Sequence, residues 1–249
     1  MEAKEKYYLQ IADNALILSH RLSAYSSFGP FLEEDLANTN VALDLIGIAE
    51  SIYEETARLR GKGETGDDLV YRRPEHEYYN CLLVEQPNTD FAFIMVRQFF
   101  TDAFQFYFFS ELTKSKDEFL SAVAFKSLKE ITYHLRRSSE WMIRLGDGTP
   151  EANEKTQHAL NTLWKYSQEF FLENEVDKQM KDLGIGVDLD LIKTQWKQKV
   201  SEILYMAHLS TPQNDFLLKG GKEGVHSEHM GYILSEMQFL PSTYPDAKW

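Results

Sequence analysis

The sequence predicts an all-α fold: a four-helix core with a long crossover between its second and third helices, and additional C-terminal helices packed outside. Three observations predict it. Apolar residues recur at helical spacing through four long stretches, and no stretch of useful length alternates with the period of a strand. The connection between the second and third stretches runs from about residue 60 to 90. Short loops make antiparallel neighbours, whereas a link of that length changes the topology.

The elements follow in order. Tyr7 to Tyr25 carries Tyr8, Ile11, Ala15, Leu18 and Leu22 on one face, and Ser26-Ser27-Phe28-Gly29-Pro30 turns the chain. Leu32 to Leu59 opens with Glu33, Glu34 and Asp35, acids suited to the positive end of a helix dipole. A small and polar line, Leu36, Asn40, Asp44, Gly47 and Ser51, runs along it. The crossover begins at the glycines of 61–66, and one short helix is expected in it near Glu75 to Leu82. Phe91 to Leu112 is unusually aromatic, with Asp102 in mid-run; its surplus of rings is expected to supply core or a docking patch. Lys116 to Leu145 buries Leu120, Ala124, Ile131, Leu135 and Met142 along one stripe. Further helices are expected over Glu151–Glu173, Leu189–Leu209 and His226–Leu240. Composition shifts nowhere enough to mark a boundary and no repeat is visible, so residues 1–249 read as one domain.

Bulk properties narrow the function. Hydrophobic residues make up 43% and charged residues 26%, ordinary for a globular protein. Lys and Arg number 26 against 39 Asp and Glu, a net charge of −13, which argues against a nucleic-acid or anionic-membrane partner. The lone Cys81 excludes an intrachain disulfide and fits a reducing compartment. The opening Met1-Glu2-Ala3-Lys4-Glu5-Lys6 lacks an apolar signal core, and no apolar run reaches the roughly 18 residues of a membrane span. A cytoplasmic protein is expected.

The four-helix pattern invites comparison with ferritin-like di-iron proteins. These set a carboxylate on the first and third helices and Glu-x-x-His on the second and fourth, the i, i+3 spacing turning both ligands to one face. Laid on this chain, the template meets Asp13 or Asn14, then Asp44 with Gly47 in the histidine's place, then Asp102, then Ile131 with His134. Glu130 stands one residue off, about 100° around the helix. One ligand pair has lost its histidine and the other its glutamate. Asp13, Asp44, Gly47, Asp102, Glu130, Ile131 and His134 are therefore expected to form a vestigial, metal-free polar cluster, with the buried acids held by internal donors. The alternative is an active di-iron or di-manganese oxygenase or oxidase with a reduced ligand set. A CoA-thioester binding module is a third class. The stretch with Lys219, Gly220, Gly221, Lys222, His226 and His229 offers CoA-phosphate or partner contacts, although it lacks P-loop spacing and a glycine-rich helix entry explains it better.

Several blocks together resemble the C-type subunit family of phenylacetyl-CoA epoxidase (phenylacetate-CoA oxygenase). They are Asp35-Leu36-Ala37-Asn38 with Leu43-Asp44-Leu45-Ile46-Gly47, Val84-Glu85-Gln86-Pro87-Asn88, Lys129-Glu130-Ile131-Thr132-Tyr133-His134, and Gly220-Gly221-Lys222-Glu223-Gly224-Val225-His226-Ser227-Glu228-His229. The resemblance runs nearly end to end. It implies a ferritin-like fold and a structural, non-catalytic member of a multicomponent monooxygenase of aerobic phenylacetate catabolism. It also implies that a related catalytic oxygenase chain carries the di-iron site and epoxidises the ring of phenylacetyl-CoA, with electrons from a reductase holding NADPH, FAD and iron–sulfur centres. This chain would have no cofactor of its own and would pair with that catalytic paralogue and the other epoxidase subunits; alone it could form a homodimer. In the catalytic paralogue the fourth helix resembles Lys-Glu-Glu-x-x-His, so Ile131 falls on the ligating glutamate.

Overall fold

The computed structural model describes residues 2–213, 216–245 and 247. Among them every regular element is helical: α1 (Glu2–Ser23), α2 (Leu32–Arg60), α3 (Gly66–Tyr71), α4 (Leu82–Glu85), α5 (Phe91–Leu112), α6 (Glu118–Gly146), α7 (Pro150–Ser167), α8 (Glu175–Asp182), α9 (Leu189–Met206), α10 (Glu228–Met237) and α11 (Phe239–Thr243). The four long helices expected from the sequence are present, with the crossover lying between α2 and α5. The chain divides into two compact units, one of Met1–Pro87 with Lys219–Trp249 and one of Asn88–Leu218.

The first unit is built on α1 packed along α2. The Tyr8, Ile11, Ala15, Leu18 and Leu22 face of α1 is buried, as are Val41, Leu45, Ile48 and Ile52 of α2. Gly61 ends α2 in the left-handed conformation, where it donates to the Ala57 carbonyl. The crossover differs from the sequence expectation. No helix spans 75–82; a single 3₁₀ turn at Glu75–Glu77 gives way to extended chain, and the helical pieces lie on either side, in α3 and α4. Residues 78–81 stay extended because their backbone groups find side-chain and C-terminal partners outside the segment.

The second unit is organised by α5, which packs against α6, α7 and α9. Its aromatic surplus is core. Trp196 of α9 is wholly buried and donates its indole N–H to the Phe100 carbonyl at 2.9 Å. Phe100 lies edge-on to Trp164, and Phe104 stacks on Phe170 with centroids 4.4 Å apart. The expected helix over 151–173 is α7 plus a 3₁₀ turn at Gln168–Phe171, which aims Phe170 and Phe171 at those rings. The side chains of Asp90, Asp117 and Thr149 cap α5, α6 and α7, fixing the three starts within a residue or two of the sequence reading.

One glycine in the first unit is required by both conformation and space. Gly224 has φ +76°, and a Cβ there would run into the His76 carbonyl. Gly224→Ala is expected to cost on the order of 1–3 kcal/mol, read as a lower denaturation midpoint. An unchanged midpoint would refute the tight docking of this turn on the crossover.

Candidate functional site

Two buried carboxylates of the first unit each face a cation. The first is Asp13 on α1, which is wholly buried. Its Oδ1 accepts from the Tyr53 hydroxyl at 2.5 Å and from Arg73 Nη2 at 2.5 Å. Its Oδ2 accepts from Arg73 Nη1 at 3.2 Å and from the Tyr79 backbone N–H at 2.8 Å. Arg73 also donates to the carbonyls of Glu77 and Leu69, and its guanidinium lies 4.1 Å from the centre of the Tyr78 ring. Burial alone would favour a neutral Arg73, but the Asp13 charge outweighs it and holds the guanidinium protonated. Burial and then the same carboxylate push the Tyr53 hydroxyl well above its ordinary range, so that it remains a donor. The next residue, Asn14, accepts from Cys81 N–H at 2.9 Å. Adjacent side chains of α1 thus take alternate N–H groups of the extended crossover, 79 and 81, as a neighbouring strand would.

The second carboxylate is Glu85 of α4, also wholly buried. Oε1 accepts from Asn80 Nδ2 at 2.9 Å and faces His226 Nδ1 at 2.5 Å; Oε2 accepts from the Ser227 N–H at 2.9 Å and hydroxyl at 2.6 Å. His226 Nε2 lies 2.9 Å from the Tyr78 carbonyl. Both imidazole nitrogens face acceptors, so both must carry protons, and the ring is a cation. Burial pulls its pKa down, yet the Glu85 hydrogen bond and charge prevail and leave it raised. The imidazole thereby ties the C-terminal segment to α4 and the crossover.

In the second unit the polar group is Asp102 on α5, with His134, Arg137 and Ser138 of α6. Asp102 is wholly buried and accepts from Gln98 Nε2 at 2.6 Å. Burial raises its pKa to about 6, while His134, Ser138, Gln98 and Arg137 work in the opposite direction.

These placements sort the sequence expectations. Asp102 and His134 come together, and Ile131 is buried beside them on α6. Asp13 joins Arg73, which lies in the crossover and carries no local sequence signal as its partner. Asp44, Gly47 and Glu130 are half-buried rather than buried, which corrects the expectation for Asp44. A di-iron pair does not fit these residues. All the lone pairs that Asp13 turns inward are taken by Arg73, Tyr53 and Tyr79, and three residues before His134 the side chain is aliphatic. Within either unit, no group of three or more His, Cys, Asp or Glu gathers as a metal site among the described residues.

The glycine-rich segment is likewise a docking turn. The N–H groups of Glu223, Gly224 and Val225 donate to the carbonyls of Gly220 and Gly221, so they are not offered to a phosphate. Lys222 is buried and Lys219 exposed, His229 is half-buried in the first turn of α10, and a Cβ at Gly221 would strike the Asn80 carbonyl. Glu85 was visible only as part of the Val-Glu-Gln-Pro-Asn block; nothing local marked it as the partner of His226, 141 residues away.

Comparison with known proteins agrees with the motif resemblance. The family model described as "Phenylacetic acid catabolic protein" matches residues 1–249. The chain belongs to that family. A relative from Escherichia coli (strain K12), named as the C subunit of 1,2-phenylacetyl-CoA epoxidase, is 41% identical over 243 residues, covering 98% of each chain. The all-helical structure accords with the ferritin-like helical fold of the family. No helix among the described residues is long and apolar enough to cross a membrane.

Two pH dependences follow from the buried acids. The His226 cation stabilises the fold fully below the unfolded pKa of about 6.5 and ceases to do so as pH rises through its raised folded value. The melting advantage of wild type over His226→Asn should therefore be largest near pH 6 and shrink toward pH 9; a constant difference would refute the ionic clamp. Asp102 behaves oppositely to a paired carboxylate. Its raised pKa means that wild type loses stability as pH climbs from about 4 to about 6. Asp102→Asn should equal wild type near pH 4 and exceed it at pH 7, by on the order of 2–3 kcal/mol at about 1.4 kcal/mol for each pH unit. Chemical denaturation at the two pH values reads the difference.

Proposed function

We propose that this chain is a structural, non-catalytic subunit of a multi-subunit 1,2-phenylacetyl-CoA epoxidase, cytoplasmic, which pairs with and stabilises a di-iron catalytic subunit. In this reading residues 1–249 act as one ferritin-like domain. The reductase, with NADPH, FAD and iron–sulfur centres, and the iron itself belong to other subunits. One observation carries the proposal: the C subunit of that epoxidase from Escherichia coli (strain K12) aligns over 98% of both chains. The chemistry of the buried groups supports it. Asp13 is used as an ion-pair partner, Asp102 is pushed toward its neutral form, and Ile131 stands where a ligand would be needed.

Co-expression with the candidate catalytic subunit tests the proposal. The two chains should co-purify as one species, iron should follow the catalytic subunit in stoichiometric amount, and epoxidation should fall when this chain is left out. Stoichiometric iron retained by this chain alone after dialysis, together with turnover in the absence of the partner, would overturn it in favour of a di-metal enzyme.

A further inference from the structure

α2 buries one side against α1, and its opposite side is apolar where solvent would be expected. Leu32, Leu36, Leu43 and Ile46 are 69%, 54%, 60% and 37% exposed. With Thr39 they follow one another at steps of four, three, four and three residues, the spacing of a coiled-coil seam rather than of a scattered surface. The seam is straight and about 21 Å long at 1.5 Å per residue. Phe28 and Phe31, both exposed, extend it into the preceding turn. Gly47 borders it with open space around its Cβ position, so a neighbouring helix can approach closely there.

Charge decides which kind of helix fits. From Ser26 to Ala57 the chain has no Lys or Arg, and Glu33, Glu50 and Glu54 stand exposed on or beside the seam. Two copies of this face set together would oppose acid to acid in a chain already at −13. Among the described residues, the exposed apolar side chains of α6 and α9 do not repeat that spacing. On α6 the exposed apolar side chains Phe125 and Tyr133 stand among Lys126, Lys129, Thr132 and Arg136, and on α9 Leu191, Tyr205 and Met206 are exposed without the repeat.

We propose that this outward face of α2 is the seat for a helix of a different subunit, one carrying apolar residues at the same spacing with lysine or arginine beside them. The inference deepens the proposed role and rests on it, since it names the surface by which this chain joins its complex.

The test uses the full chain co-expressed with the candidate catalytic subunit. Leu36→Asp with Leu43→Asp changes only exposed positions, so its melting should match wild type while affinity for the partner falls at least tenfold. Glu50→Lys with Glu54→Lys should weaken binding several-fold and flatten its salt dependence, and Tyr205→Asp, equally exposed on α9, should leave binding unchanged. If wild type assembles and the Leu36, Leu43 double variant assembles equally well, the seat is elsewhere. If the chain alone sediments as a dimer that the double variant dissolves, the occupant is a second copy and the proposal is overturned. If wild type forms no complex with the catalytic subunit, the subunit role fails first and takes this inference with it.

Discussion

The first unit depends on holding a stretch of extended backbone, residues 78–81, inside a helical protein. Buried N–H and C=O groups without partners each cost about as much as a lost hydrogen bond, and this segment has neither helix nor sheet to supply them. α1 provides the acceptors for 79 and 81 through Asp13 and Asn14, while His226 donates to the carbonyl of 78. Asp13, which takes one of these N–H groups, and Glu85, which holds His226, are themselves buried charges, tolerable only because Arg73 and His226 are brought to them. Removing one partner would leave an uncompensated ion in the interior, a loss of about 3–5 kcal/mol for a pair of this kind. The route of the crossover, the docking of the C-terminal segment and the anchoring of α1 are one problem with one solution.

The second unit solves a different problem. Its α5 is buried along almost its whole length, and its rings fill the space that α6, α7 and α9 enclose. Asp102 is one of several polar side chains in that interior, with Arg97 and Gln98; the Gln98 amide donates to it, and burial raises its pKa above the ordinary carboxylate value. A carboxyl whose pKa is raised to about 6 is charged again near pH 7, and there its burial in an aromatic core costs stability. The rings of α5 organise this interior for packing.

That packing changes what the aromatic surplus means. The rings of α5 suggested material for docking, yet they are consumed by the core. An exposed apolar row at coiled-coil spacing lies instead on α2, whose leucines look in sequence like an ordinary helical interior. Acidic residues around that seam serve two ends. They keep an apolar face soluble, and they select against self-pairing by like-charge repulsion.

How much was legible in advance depended on whether the cause was local. The sequence by itself determined the helices, because periodicity and the glycine after Arg60 act within a turn or two of where they stand, and the caps that the structure shows at Asp90, Asp117 and Thr149 are equally local. It also showed that the residue three places before His134 is the aliphatic Ile131, since i, i+3 spacing is a property of one helix. Only the tertiary structure decided the partners. Asp13 and Arg73 are 60 residues apart, and Glu85 and His226 are 141 apart. Nothing in either neighbourhood predicts its counterpart, because any buried cation can satisfy any buried acid. The same holds for the crossover, where propensity suggested a helix at 75–82. The backbone stayed extended because side chains from α1 and the C-terminal segment met its hydrogen-bonding groups first, and that competition is settled by packing rather than by local preference.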